Sequence, residues 1–331
     1  MNVLVAGGAG YIGSHTVKRL KAAGHTPVIY DNLSRGHGEV VRILGVPAVH
    51  ADLNDRKTLV ETLRKYKIET VMHFAAYAYV GESVLKPLMY YQNNVATTVS
   101  VIEAMNEAGV SRFVFSSTCA TYGNPLTVPI TEDEPKKPVS PYGRSKLMVE
   151  EILADQIVAD PKFKFAALRY FNACGAAMDG SIGEDHEPET HLIPVILLAI
   201  LGVQPKLTVF GTDYPTADGT NVRDYIHVDD LADAHILAMQ KLREKEPIYC
   251  NLGTGRGFSV KEIIAAAEEV TGKKVPVEYG PRRAGDAIAL FANPTRAKQL
   301  LGWEAKHKDP KTIIQSAWAW FKDHPHGYAG K

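Results

Sequence analysis

The chain has 331 residues, 45% apolar and 22% charged, enough for one large or two ordinary domains around a sizeable core. Lysine plus arginine and aspartate plus glutamate number 37 each, so no global field favours nucleic acid or an anionic membrane, and partners must be recognised locally. Three cysteines, Cys119, Cys174 and Cys250, without a Cys-x-x-Cys spacing argue against a disulfide framework or a structural zinc, and no metal is expected.

Met1-Asn2 leads at once into Val3-Leu4-Val5-Ala6, which leaves no room for a signal core. The longest apolar stretch, residues 192–203, contains Pro194 and is too short to span about 30 Å of hydrocarbon, so a cytoplasmic protein is expected. In the first half, apolar runs alternate with amphipathic ones, the rhythm of a parallel sheet. Strands are predicted over residues 2–6, 27–30, 48–51, 70–74 and 112–116, and helices over 11–23, 56–66 and 87–108. After Thr118 a loop carrying Pro125, Pro129, Pro135, Pro138 and Pro141 leads into a helix over 142–159 and a sixth strand over 165–171. From Asn172 the texture changes to a Gly- and Asp-rich loop, a helix over 191–201 and shorter elements up to Phe321. The pattern predicts an α/β fold: a Rossmann-type doubly wound parallel sheet over 1–171, with segments near 226–252 returning to it, and a smaller α/β lobe over 172–331.

Gly7-Gly8-Ala9-Gly10-Tyr11-Ile12-Gly13 joins the first strand to the first helix. Glycines at 7, 10 and 13 permit a tight turn and a close backbone approach to a pyrophosphate, at which the helix N-terminus points free N–H groups. Any tight strand-to-helix turn can use glycine, so the loop alone reads either way. Asp31 ends the second strand 18 residues after Gly13, where a carboxylate accepts adenosine ribose hydroxyls and repels a 2′-phosphate, favouring NAD over NADP. Arg35 weakens that preference slightly, and the alternative for Asp31 is an Asx-turn with Asn32. Asp52 reads as a contact to the adenine edge or as the N-cap of the helix that starts near Arg56.

Tyr142 and Lys146 are four apart on a predicted helix and share a face. An ammonium beside a phenol lowers the phenol pKa from about 10, so that a phenolate takes a substrate hydroxyl proton while hydride leaves the carbon. Such pairs are common on solvated helices; the upstream glycine loop, Phe115-Ser116-Ser117-Thr118 and the Pro-rich entry place this one in a site. Thr118 falls at the carboxyl edge of the sheet, where open α/β folds bind ligands. Its hydroxyl either bridges substrate and Tyr142 or caps a Ser/Thr-rich turn. These residues point to hydride transfer between a nicotinamide and an alcohol carbon.

Together with Asp31-Asn32, His73-Phe74-Ala75-Ala76, Val80-Gly81-Glu82-Ser83, Asn93-Asn94, Ser140-Pro141-Tyr142-Gly143-Arg144-Ser145-Lys146 and Arg169-Tyr170-Phe171-Asn172, these motifs resemble the extended short-chain dehydrogenase/reductase family. Four later motifs narrow the resemblance to its UDP-sugar 4-epimerases: the run from Phe210 to Thr216, Asp218-Gly219-Thr220, the run from Val222 to Val228, and Arg282-Arg283-Ala284-Gly285-Asp286. It extends from Met1 to about Trp303. The resemblance implies interconversion of UDP-glucose and UDP-galactose with NAD held permanently: Tyr142 takes the 4-hydroxyl proton, hydride leaves sugar C4, the 4-keto sugar swings, and hydride returns to its other face. It also implies that Tyr11, Ile12, Asp31, Asn32, Leu33, Ser34, Arg35, Gly36, Asp52, Leu53, Phe74, Ala75, Ala76, Asn93, Lys146, Tyr170 and Phe171 line NAD. Asn172, His191, Leu192, Phe210, Arg223, Tyr225, Arg283, Asp286 and Leu290 would join Thr118 and Tyr142 around the UDP-sugar. Arg223 and Arg283 suit a diphosphate, or else form surface ion pairs with Asp224 and Asp286. The helices over 87–108 and 142–159 form the interface in similar proteins, which implies a homodimer.

Departures from the family pattern carry information. Thr118 stands for a serine and keeps the hydroxyl; Ala78 replaces a lysine that contacts the cofactor in some members; His191 replaces a phosphate-contacting asparagine, a donor for a donor. Leu290 stands where a bulky tyrosine narrows the sugar pocket in some relatives, which leaves room for a 2-acetamido group and hence UDP-N-acetylglucosamine. A nucleotide-sugar 4,6-dehydratase needs an Asp-Glu pair beside the threonine, and Cys119-Ala120-Thr121 offers no carboxylate. A 4-epimerase of UDP-xylose or UDP-glucuronate stays open. A non-catalytic nucleotide sensor is opposed by the presence of both Tyr142 and Lys146.

Overall fold

A computed structural model of the chain describes residues 1–242, 247–283 and 286–328. Six strands of the first half are β1 (Asn2–Ala6), β2 (Thr26–Asp31), β3 (Ala48–His50), β4 (Thr70–His73), β5 (Arg112–Thr118) and β6 (Lys164–Tyr170). With strand Ile248–Leu252 they form a seven-stranded sheet in the order Ile248–Leu252, β6, β5, β4, β1, β2, β3, and every pairing is parallel. The strands are near-continuous apolar runs because helices cover both faces. Val3 and Val5 belong to one core layer with Val17, Leu20 and Leu231, whereas Leu4 and Ala6 belong to the other with Leu59, Val101 and Val149. That period of two is the strand's own, and it separates the two helical layers cleanly.

Strand order reverses beside β1, which has β2 on one flank and β4 on the other. The crevice outside the carboxyl ends of these strands is where a doubly wound sheet receives its ligand. The loops after β1, β2, β4 and β5 all open there.

A third core lies in a smaller lobe around Ile193, Ile196, Leu197, Ile263, Ile313 and Trp320, built from helices Leu192–Leu201, Val260–Thr271 and Pro310–Asp323. Short strands link the lobes: Asn172–Cys174 pairs with Tyr225–His227, and Val222–Arg223 lies between Phe258–Ser259 and Ala289–Leu290.

The single helix predicted over 87–108 is three pieces, Pro87–Tyr90, a π-helical segment Tyr91–Ala96, and Thr97–Ala108. The widened turn carries the buried Asn94 side chain inward, while the Thr98 hydroxyl donates to the Asn94 carbonyl at 2.7 Å. Such π-turns gather at functional sites. Strand β5 runs two residues past its predicted end, because Ser117 and Thr118 pair with Arg169 and Tyr170. Among the described residues no helix is long and apolar enough to cross a membrane.

Candidate active site

The glycine loop is held by backbone contact that no side chain could share. Gly7 has φ +79°, and a Cβ there would stand 2.6 Å from the Ala75 nitrogen, in the loop after β4. A Cβ on Gly13 would stand 2.1 Å from the Gly7 carbonyl oxygen, so the first turn of helix Tyr11–Ala22 rests directly on the loop. Gly10 caps that helix without a side-chain bond, which leaves the opening N–H groups for a ligand anion.

Asp31 does two jobs. Its Oδ2 accepts from the Ala9 N–H at 2.9 Å, across the loop, and its Oδ1 accepts from the Leu33 N–H at 2.8 Å, the Asx-turn. Burial pushes its carboxyl up, opposed by those two bonds. Asn32 donates to Asp52 Oδ2 at 2.8 Å, and Ser34 donates its N–H to Asn32 Oδ1 at 3.0 Å. Gly36 backs onto Ala9, where a Cβ would stand 2.9 Å from the alanine Cβ. The N-cap of helix Arg56–Lys65 is Asp55, which frees Asp52 from that role. Leu53 packs into the core beside Tyr30. The Arg35 Nη1 donates to the Glu187 carbonyl at 2.9 Å, its Nη2 is 3.4 Å from Glu82, and Tyr77 and Tyr79 flank it at 5.5 and 5.4 Å.

Ser140 starts helix Pro141–Ala159 by accepting from the Gly143 N–H at 3.1 Å, with Pro141 at the first position. A Cβ on Gly143 would stand 2.4 Å from the Ala120 carbonyl, so the helix start is pressed onto the turn Cys119–Thr121. This puts the Tyr142 phenol beside the Thr118 side chain, whose Oγ1 accepts from the Ala120 N–H at 3.1 Å. Thr118 thus serves as both cap and partner. Tyr142 is partly buried, and desolvation of the phenol pushes its pKa up to about 12, with Thr118 opposing. Lys146 is buried; its Nζ donates to the Ser116 carbonyl at 2.8 Å and lies 4.8 Å over the Phe115 ring. Burial brings it down to about 7, against the Glu150 carboxylate. The expected lowering of the phenol pKa by Lys146 is therefore not what the protein alone provides: the ammonium is turned to the strand, and desolvation of the phenol outweighs it.

Around this pair, Tyr170 shares a short hydrogen bond with the Ser116 hydroxyl, and Phe74 lies 4.8 Å from the His235 ring. The Ala75 N–H joins the Ala6 carbonyl at 3.1 Å and leads into Ala76. Asn93 donates to Asn94 Oδ1 at 3.0 Å. Asn94 clamps the loop after β4 to the catalytic helix through Tyr77 N–H, Tyr77 carbonyl and Ser145 at 2.9, 3.0 and 3.1 Å. Behind Lys146, Glu150 accepts from Ser117 at 2.6 Å and from Arg169 Nε at 2.8 Å, and Arg169 also donates to Tyr122 at 2.9 Å. Sequence reasoning gave Asn94, Glu150 and Tyr122 no role; the Asn93-Asn94 motif and a carboxylate one turn beyond the lysine were the available signals.

In the smaller lobe, Arg223 pairs with Asp286, which also accepts from Asn221 at 2.8 Å, and the Arg283 guanidinium lies 3.9 Å over the Phe210 ring. Asp224 is buried and bound to Thr254 at 2.7 Å, so an Arg223–Asp224 surface pair does not form. Ala284 and Gly285 of that motif lie outside the described residues. Asn172 donates its N–H to the Asp224 carbonyl at 3.1 Å. Leu290 stands opposite Arg223 in the ladder and packs against the cluster containing Phe171. Tyr225 is 3% exposed in the lobe's core, because parallel pairing with Asn172 turns it inward. His191 precedes Leu192 at the start of helix Leu192–Leu201, its Nδ1 2.9 Å from Glu184 and 3.0 Å from Glu189. Those carboxylates raise His191 to about 10 and its neighbour His186 to about 9, against the opposing effect of burial.

The glycine loop after β1, Asp31 at the end of β2, and Thr118, Tyr142 and Lys146 beside β5 thus gather at the carboxyl edge of one sheet. Residues 3–253 match the model of the NAD dependent epimerase/dehydratase family. The UDP-glucose 4-epimerase of Lactobacillus helveticus is 50% identical over the whole of both chains. The solved structure of UDP-glucose 4-epimerase from Brucella ovis in complex with NAD has a TM-score of 0.94 and 51% identity, covering 97% of this chain and 98% of its own. The UDP-glucose-4-epimerase from Stenotrophomonas maltophila, with bound NAD and formylated UDP-arabinopyranose, has a TM-score of 0.95 and 43% identity, covering 98% and 99%. The chain belongs to the NAD dependent epimerase/dehydratase family.

Proposed function

We propose that the protein interconverts UDP-glucose and UDP-galactose by reversible oxidation at sugar C4, with NAD retained throughout. The observation that carries this reading is the Tyr142 phenol in contact with Thr118 at the carboxyl end of β5, one helical turn before Lys146 and across from the glycine loop. When bound, oxidised NAD supplies a hydride acceptor and a cationic ring. Desolvation holds the phenol neutral on its own, so it becomes a base only when a second positive charge joins that of Lys146. Thr118 relays the 4-hydroxyl proton to Tyr142 and returns it when the 4-keto sugar is reduced from its other face. Lys146 anchors the Ser116 carbonyl and keeps the helix face in register with β5.

The same reading gives the seven-stranded lobe to NAD and the smaller lobe to the UDP-sugar, with Phe210 beside the uracil and Arg223, Arg283 and His191 on the diphosphate. Arg223 would exchange Asp286 for phosphate oxygens, a charge-assisted bond of similar kind. The leucine at position 290 supports an added activity on UDP-N-acetylglucosamine. Reduced Cys119, Cys174 and Cys250 suit a cytoplasmic enzyme. Apolar side chains exposed on helices Val80–Leu85, Pro87–Tyr90 and Pro141–Ala159 support a homodimer.

The test is turnover of UDP-glucose to UDP-galactose by purified protein without added NAD, run beside UDP-N-acetylglucosamine, UDP-xylose and UDP-glucuronate. Binding without turnover, even after NAD is added, would make the protein a sensor instead.

A further inference from the structure

The loop between strand Asn172–Cys174 and helix Leu192–Leu201 brings four side chains to one point: Glu184, His186, Glu189 and His191. One donor atom from each lies within 4.8 Å of all the others. His186 Nδ1 is 3.1 Å from Glu184 Oε1 and 3.5 Å from Glu189 Oε2, and His191 Nδ1 is 2.9 and 3.0 Å from Oε1 of Glu184 and Glu189. Ligands bound at about 2.0–2.1 Å in a tetrahedral zinc shell stand about 3.3 Å apart, close to the four imidazole–carboxylate separations.

Ion pairs give similar distances, and two features separate the cases. Each imidazole faces both carboxylates through the same nitrogen, so a single N–H would have to be shared between two acceptors. Moreover, His186 Nδ1 and Glu189 Oε2 are buried without a hydrogen-bond partner, although the Glu189 side chain is only 6% exposed. Two polar atoms of the cluster thus face each other there without a well-aimed hydrogen bond, while Glu189 Oε1 is held by the Thr190 and His191 N–H groups at 2.7 Å each.

We propose that Glu184, His186, Glu189 and His191 form a binding site for a divalent transition-metal ion of the zinc type. Two imidazole nitrogens with two carboxylates suit zinc, whereas magnesium and calcium take oxygen donors. Two carboxylates also balance the charge of a dication. The Tyr11 ring lies 6.0 Å from His186, and the Tyr79 ring lies 6.2 Å from both histidines. The ion would therefore staple the loop between the cofactor loop and the start of helix Leu192–Leu201. With Nδ1 on the ion, His191 keeps a fixed Nε2–H, a donor of defined direction on the seam between the lobes. The assignment stands apart from the sugar identity, and it replaces the sequence-based expectation of no metal.

Tag-free protein produced with zinc and dialysed without chelator is expected to hold about one zinc per chain by elemental analysis, and H186Q/H191Q about a tenth of that or less. Stripping the wild type with a chelator should lower its Tm by about 5 °C or more, and Zn2+ alone should restore it. If the double variant does not fold, the wild-type zinc content and Tm response decide the matter. Background zinc in the wild type with a Tm indifferent to chelator and Zn2+ overturns the proposal, as does full zinc retention by H186Q/H191Q.

Discussion

Tyr142→Phe keeps the ring, including its edge contact with Tyr90 at 6.4 Å between centroids, and removes only the proton-carrying oxygen. Turnover should fall by about 10²–10⁴-fold with NAD content unchanged, and a near-normal rate would take the phenol out of the reaction. Lys146 tests the electrostatics differently. In the folded chain it titrates near about 7 because of burial, against 10.5 as its ordinary value. Between these values the unfolded chain binds more protons, so the contribution of Lys146 to wild-type stability rises with pH. Lys146→Met removes the buried cation. Its gain in Tm should be largest at about pH 6, shrink toward about pH 9, and come with lost activity. A Tm difference that does not change with pH would show that the ammonium is not penalised by burial. The same residue thus opposes stability and serves chemistry, a conflict common at functional sites.

At the scale of elements, the site depends on three loops that contact one another through backbone. Gly13→Ala places a Cβ against the Gly7 carbonyl, which must push the first turn of helix Tyr11–Ala22 off the loop. NAD content after purification should drop severely, with a lower Tm; full retention would mean that the helix start is not packed as described. The catalytic helix is set from both ends of its first turns, by Ser140 at its N-cap and by Asn94 on Ser145. Further along, Glu150 ties it to β6 through Arg169, a buried pair at 3% and 1% side-chain exposure. Such a pair does little for net stability but makes any other arrangement costly, since one partner left alone is an unpaired buried charge. It therefore fixes the helix against the strand that carries Tyr170.

For the whole molecule, the relevant surface is apolar. Leu85 is 82% exposed, Leu88 81% and Val158 83%, on helices that flank the catalytic one or belong to it. These exposed apolar side chains are what the proposed homodimer would cover. L85E/L88E should shift the sedimenting species from dimer to monomer at micromolar concentration, and a monomeric wild type would remove the premise. The lobes themselves were only partly legible beforehand. Strands 2–6 and 112–116 stand out because buried parallel strands are apolar on both faces. The π-helical break at Tyr91–Ala96 was hidden, because a widened turn keeps the composition of the helix around it. The Glu184-x-His186-x-x-Glu189-x-His191 spacing was visible in principle, but it matches neither helical nor strand periodicity and so carried no signal.

Periodicity and glycine geometry act over a few residues, so the sequence alone disclosed the order of the sheet strands in the first half, the glycine turn, and which residue types sit at the carboxyl edge, but not the helices Gly38–Leu44 and Val80–Leu85. Tertiary structure decided which charge meets which. Arg223 takes Asp286, 63 positions away, rather than the adjacent Asp224. Lys146 turns to Ser116 rather than to the phenol it was expected to activate, and Arg35 turns to Glu187. Partner choice and proton affinity depend on how much water folding removes from each group, and that is a property of the packed whole.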